Sequence, residues 1–227
     1  MGRGSVSVNA REEASTKRSF LASLALRRWG GAGAALGGTL LAAWGYLHGN
    51  MGGSAGPVIA AAMGLLIDTL LLAGLAGLCA WWWEGRTNLL GAVGFVLVFV
   101  GLALSVAHGI HAFVSASGIA ELAPWWVYVR AASDLPGYVV SWLPVLPVGM
   151  VVVGIGSVLS GALGGWGILP LAMGLLGAAY HLTDSGGLFG IGFAHVPFGA
   201  AYSLGWVLLG FLLWRQGTAT HAHAPRL

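Results

Sequence analysis

The sequence predicts an all-α fold: a polytopic membrane protein with six transmembrane helices in one bundle and both ends of the chain in the cytoplasm. Three observations lead there. The chain is 57% hydrophobic and 7% charged, with a mean hydropathy of +0.84, whereas a soluble domain carries about a quarter charged residues. Its charges leave long uncharged runs from Trp29 to Ile67, Thr87 to Ala120, Leu135 to Thr183 and Ser185 to Trp214. When those runs are threaded back and forth through a bilayer, nine of the ten basic residues fall on one side.

A crossing takes about 20 apolar residues, and it must be helical because an unpaired backbone group in hydrocarbon costs several kcal/mol. Six crossings fit, at roughly 30–48, 58–82, 89–111, 138–160, 166–182 and 196–214. They form a transmembrane domain over 29–215, between a basic cytoplasmic tail at 1–28 and a second cytoplasmic tail at 216–227. Arg3, Arg11, Lys17, Arg18, Arg27, Arg28, Arg86, Arg215 and Arg226 then face the cytoplasm, and Arg130 alone faces outward. That bias orients the chain. Tryptophans form two interfacial belts, with Trp29, Trp81, Trp82, Trp83, Trp166 and Trp214 inside and Trp125, Trp126 and Trp142 outside.

The N-terminal tail contains Thr16-Lys17-Arg18-Ser19-Phe20-Leu21, close to a twin-arginine export pattern. The apolar stretch that follows stops at Arg27-Arg28, too soon for a signal core. A disordered tail leading into a short interfacial helix is expected there. In the second span Asp68 is a carboxyl near mid-membrane, where a charge costs about 3 kcal/mol on insertion scales. It is expected to be neutral and paired with a hydroxyl, Thr39 of the first span or Ser157 of the fourth, or else to form a proton or cation site. In the fourth span Pro144 and Pro147 remove two backbone donors, which predicts a kink.

Glycine makes up 39 of the 227 residues. Gly33 and Gly37, Gly45 and Gly49, Ala60 and Gly64, Ala73 and Gly77, and Gly161 and Gly165 each place two small residues four apart, a spacing that lets helix backbones approach closely. Because the pairs are spread over nearly every span, packing inside one bundle is the expected use, with association of two copies or with a membrane partner as the alternative.

The histidines carry the strongest hint of chemistry. His48, His108, His111, His181 and His195 all fall at the extracytoplasmic ends of spans. His108 and His111 share a helix face with Ser105 one turn deeper, a spacing that permits bidentate metal capture. Asp184 follows His181 by three residues and could orient a liganding imidazole. Zn, Cu or haem iron would accept such ligands. The plainer reading is that these residues mark helix ends and donate to the last carbonyls.

No phosphate-binding glycine loop, HExxH, CxxC or Ser-His-Asp spacing is present, and Cys79 stands alone, so no enzyme class is indicated. A pI of about 9.4 requires no nucleic acid, since the basic residues already set topology and meet anionic lipid. Heavy use of Ala, Gly, Leu, Val and Arg over Lys points to a GC-rich genome and a bacterial plasma membrane. The expected partner is the lipid bilayer. The expected function is a metal- or haem-associated membrane protein with a histidine site on its outer side; the alternatives are a small proton- or cation-coupled transporter using Asp68, or a non-catalytic assembly subunit.

Overall fold

A computed structural model describes the backbone of residues 4–47, 56–85, 87–118, 145–184 and 195–219, and the side chains of 21–44, 56–85, 87–118, 145–180 and 198–218. Among the described residues there are six α-helices and no strand. They are α1 (Gly4–Leu47), α2 (Gly56–Trp83), α3 (Leu89–Ala116), α4 (Val145–Ser160), α5 (Ile168–Asp184) and α6 (His195–Ala219), with a 3₁₀ turn at Gly164–Gly167 leading into α5. Gly56–Trp83, Leu89–Ala116 and Phe198–Thr218 are long and apolar enough to cross a membrane, while Val145–Ser160 and Gly164–Tyr180 are shorter apolar helices.

Each helix packs against its neighbour in sequence, and α1 packs against α6, so the six close into a ring. Neighbours run antiparallel. Gly30 meets Gly77 and Gly37 meets Leu71, so α2 descends as α1 rises; Gly31 meets Gly210 and Gly38 meets Ser203, so α6 descends as well. The same reversal relates α3 to α4, where Gly94 lies against Val153 and Gly101 against Leu146. One end of the ring therefore gathers Arg27 and Arg28 of α1, the C-termini of α2, α4 and α6, and the N-termini of α3 and α5. The opposite end holds the C-termini of α3 and α5.

Local chemistry accounts for the boundaries. Asn88, in extended conformation (φ −140°, ψ 161°), caps α3 by accepting from the Gly91 N–H at 2.7 Å. α3 ends where the Ser117 N–H donates to the Phe113 carbonyl at 2.9 Å and Gly118 turns to φ 73°. The turn between α4 and α5 uses Gly161 and Gly164 at φ 68° and 56°, a region that side chains resist.

Two expectations change. Residues 4–28 are not a disordered tail with a separate interfacial helix: α1 is continuous over Gly4–Leu47. The stretch holds no proline, is rich in Ala, Glu, Arg and Leu, and places Glu13 four residues before Lys17, a helix-supporting order. Pro147 is buried as the third described residue of α4, so the predicted kink falls at the edge of the described residues. Pro144 lies outside the described residues. Trp82 leaves the interfacial belt for the core, tilted against Phe95 with centroids 5.1 Å apart, and Trp206 is also fully buried. Trp29, Trp83, Trp166 and Trp214 remain exposed at the Arg27 end of the ring, while Trp125, Trp126 and Trp142 lie outside the described residues.

The interior is filled by Leu71, Leu75, Leu78, Trp82, Val98, Leu102, Met150, Val153, Met173, Trp206, Leu209 and Leu213. The outer surface is equally apolar, with Val96, Phe99, Leu159, Leu204 and Phe211 exposed. Helices apolar on every face suit hydrocarbon surroundings. Packing across the ring rests on close backbone approach, and of the predicted small-residue pairs Gly33, Gly37 and Gly77 serve contacts inside it. A Cβ at Gly64, Gly161 or Gly165 would meet nothing within 4 Å among the described residues.

A Cβ at Gly30 would lie 2.6 Å from the Ala73 carbonyl oxygen and 2.7 Å from Gly77 Cα, so Gly30→Ala should cost about 1–3 kcal/mol through overpacking. Gly64→Ala should cost nothing. Thermal unfolding in detergent checks both; equal losses would contradict this packing.

Candidate functional site

Asp68, itself half-buried, sits near the middle of α2, between buried Ile67 and exposed Thr69, with half-buried Leu70 leading to buried Leu71. Its register against α3 is set by contacts on either side. Toward the Arg27 end Trp82 packs on Gly91, and toward the opposite end Leu65 packs on Gly109. Between them the Ser105 hydroxyl donates to Asp68 Oδ2 at 2.6 Å. A carboxyl in an apolar interface thus gains the partner it needs, from the neighbouring helix.

The expectation of a hydroxyl partner holds, but its identity is corrected. Thr39 Oγ1 donates to the Ala35 carbonyl of its own helix at 2.8 Å. Ser157, on α4, is fully buried and its hydroxyl has no hydrogen-bond partner. Ser105 wins because α3 follows α2 through a short turn and lies directly beside it.

Two further side chains fall within electrostatic reach of Asp68: His108, one turn beyond Ser105 on α3, and Tyr202 of α6. His108 is exposed and His111 half-buried. Tyr202 is buried among Gly177, Trp206 and the core, edge-on to Trp206 with centroids 6.3 Å apart. The Asp68 carboxyl and the Ser105 hydroxyl meet across α2 and α3, with an imidazole and a phenol near enough to feel the charge. Such a set can bind and release a proton or hold a small cation.

The predicted metal site gains no support. Among the described residues no three His, Cys, Asp or Glu side chains gather as a metal would require. The backbones of His181, Asp184 and His195 lie at the same end of the ring as His108 and His111, but their side chains, and all of His48, lie outside the described residues.

At the other end of the ring, polar contacts absent from the sequence-based reading tie the helices together. Arg27 is buried and its Nη1 donates to Glu84 Oε2 at 3.1 Å, while the Ser23 hydroxyl donates to Glu84 Oε1. Asn88 Nδ2 donates to the Gly156 carbonyl at 2.7 Å, so one side chain caps α3 and clamps α4. Arg28 lies over the Trp214 ring, 4.9 Å from its centroid. A signal for the first contact was present: Glu84 is the only acid between Asp68 and Glu121, and it ends the span that pairs with the one Arg27 begins.

No known protein family, curated protein or solved structure matches the chain.

Ser105→Ala should destabilise the fold by about 1–3 kcal/mol, because it strips a half-buried carboxyl of its donor. Adding Asp68→Leu to that variant should recover most of the loss, since neither polar group then remains. Thermal unfolding of the single and double variants decides; a double variant no better than the single would show that the pair does not act as a unit.

Proposed function

We propose that this chain is a six-span integral membrane protein, cytoplasmic at both ends, that works as a small proton- or cation-coupled transporter centred on Asp68. The observation that carries the reading is the Asp68 carboxyl, mid-helix in an apolar bundle, accepting from Ser105 across the α2–α3 interface. Intramembrane acids are expensive and are kept where an ion or proton is handled. His108 and Tyr202, both within reach of its charge, supply the neighbours through which a bound proton or cation could be exchanged.

Antiparallel packing around the ring supports an alternating path through the bilayer, with α1, α4 and α5 supplying the three crossings besides those of α2, α3 and α6. Arg27, Arg28 and Arg215 lie at the end of the ring that carries exposed Trp29, Trp83, Trp166 and Trp214, a pairing suited to the cytoplasmic interface of a bacterial plasma membrane. The metal- or haem-associated reading is weaker, since it relies on side chains that no described geometry brings together.

In proteoliposomes carrying an imposed pH gradient, the wild-type chain should dissipate the gradient and Asp68→Asn should do so at least about tenfold more slowly while unfolding at a similar temperature. Equal rates would overturn the proposal. Near-stoichiometric Fe, Cu or Zn in purified protein, lost from the His108→Ala/His111→Ala variant, would replace it with the metal reading. A reporter fused at Gly118 should signal from the extracytoplasmic side, and a cytoplasmic signal would invert the topology.

A further inference from the structure

Arg27 is placed unusually for a charged residue in this bundle. Its side chain faces the inside of the ring, on the same stripe of α1 as buried Leu24 and Ala34, and is 5% exposed. One terminal nitrogen, Nη1, binds Glu84. The other two nitrogens, Nε and Nη2, are buried and have no hydrogen-bond partner among the described residues.

Those two nitrogens share one edge of the planar guanidinium. Their N–H groups run parallel and form the fork that grips two oxygens of a carboxylate or phosphate at once. Glu84 cannot turn to fill it, because one of its oxygens accepts from Nη1 and the other from Ser23. A charged donor buried without an acceptor is costly, and here two sit side by side. The guanidinium nears the surface on its Nη1 side, where Glu84 is 37% exposed and Ser23 is half-buried.

The surroundings point to the class of acceptor. Arg28, adjacent in sequence, is exposed and stacks on Trp214, while Trp29 and Trp83 stand exposed at the same level. Arginine beside interfacial tryptophan sits at headgroup depth, where anionic lipids concentrate. We infer that Arg27 forms a specific oxyanion site at the α1–α2 mouth of the ring, occupied through its Nε–Nη2 fork by a phosphate group, which an anionic phospholipid of the cytoplasmic leaflet supplies. The lipid source rests on the cytoplasmic placement of this end; the oxyanion chemistry does not, and neither depends on transport at Asp68.

The test uses the full-length protein, stripped of lipid in detergent and then offered phosphatidylglycerol or inorganic phosphate separately. Native mass spectrometry counts retained lipid, and thermal unfolding in phosphate against chloride at equal ionic strength reads the free anion. Wild-type protein should retain phosphatidylglycerol, and Arg27→Lys, which keeps the charge but lacks the fork, should bind it at least about tenfold more weakly. Arg28→Lys should leave that binding unchanged. Stabilisation by inorganic phosphate without lipid retention, again lost in Arg27→Lys, would keep the oxyanion site and remove the lipid as its source. Should Arg27→Lys fail to fold, Glu84→Gln serves instead: it preserves the fork and removes the opposing charge, so binding should tighten. No retention of lipid and no effect of phosphate on wild-type protein, or equal binding by Arg27→Lys, would overturn the inference.

Discussion

Helix α1 touches two helices at once, and it can do so only because the positions that meet them carry little or no side chain. Gly30, Gly33 and Gly37 face α2, while Gly31 and Gly38, one residue further round, face α6. On α6 a Cβ at Gly210 would lie 2.4 Å from the Ala35 nitrogen. In lipid no hydrophobic effect drives helices together, so dispersion between closely packed backbones has to supply the attraction. A ring of six helices needs one closing contact between its first and last members, and the glycines of α1 provide it. The fully buried side chains of Trp206, Leu78, Leu102 and Met150 then fill the space the ring encloses.

Closing the ring in this way decides where polar groups can survive. The interior is mostly aliphatic and aromatic. Midway along α2, Asp68 and Ser105 satisfy each other across α2 and α3. At the Arg27 end, Arg27, Glu84 and Ser23 join α1 to α2, and Asn88 joins α3 to α4. Both joints lie beside short connections, the α2–α3 turn and the α4–α5 turn, where the register of neighbouring helices is already restricted. The polar contacts refine a register that chain connectivity imposes.

The helices themselves were legible in the sequence, because charge spacing in so apolar a chain marks the limits of each apolar run. Expected limits of 58–82 and 196–214 became Gly56–Trp83 and His195–Ala219, differences of helix ends. The glycine pattern was legible as close packing, though it could not say which glycine met which helix. Asp68 stood out as an acid in the wrong solvent, but its partner did not, since pairing depends on rotation about two helix axes that composition leaves open. Thr39, one of the favoured candidates, had a cheaper bond available within its own helix. Trp82 was misplaced for a related reason: three consecutive tryptophans look like a belt, yet at 100° per residue they cannot all face the same way, and the middle one turns inward. The burial of Arg27 has no signal in the sequence, where Arg28 beside it makes the pair look like an ordinary juxtamembrane anchor.

The contact between α1 and α6 is the feature on which this account stands, and it can be measured in native membranes. A Cβ on Gly217 would lie 3.3 Å from the Cβ of Arg28, near the separation of about 3.8 Å that a disulfide requires. In a Cys79→Ala background, the Arg28→Cys/Gly217→Cys variant oxidised in the membrane should form a cross-link within single chains, reversed by reductant and insensitive to dilution. An open ring would leave the two cysteines unlinked, or link them only between separate chains, and either result would contradict the closed arrangement.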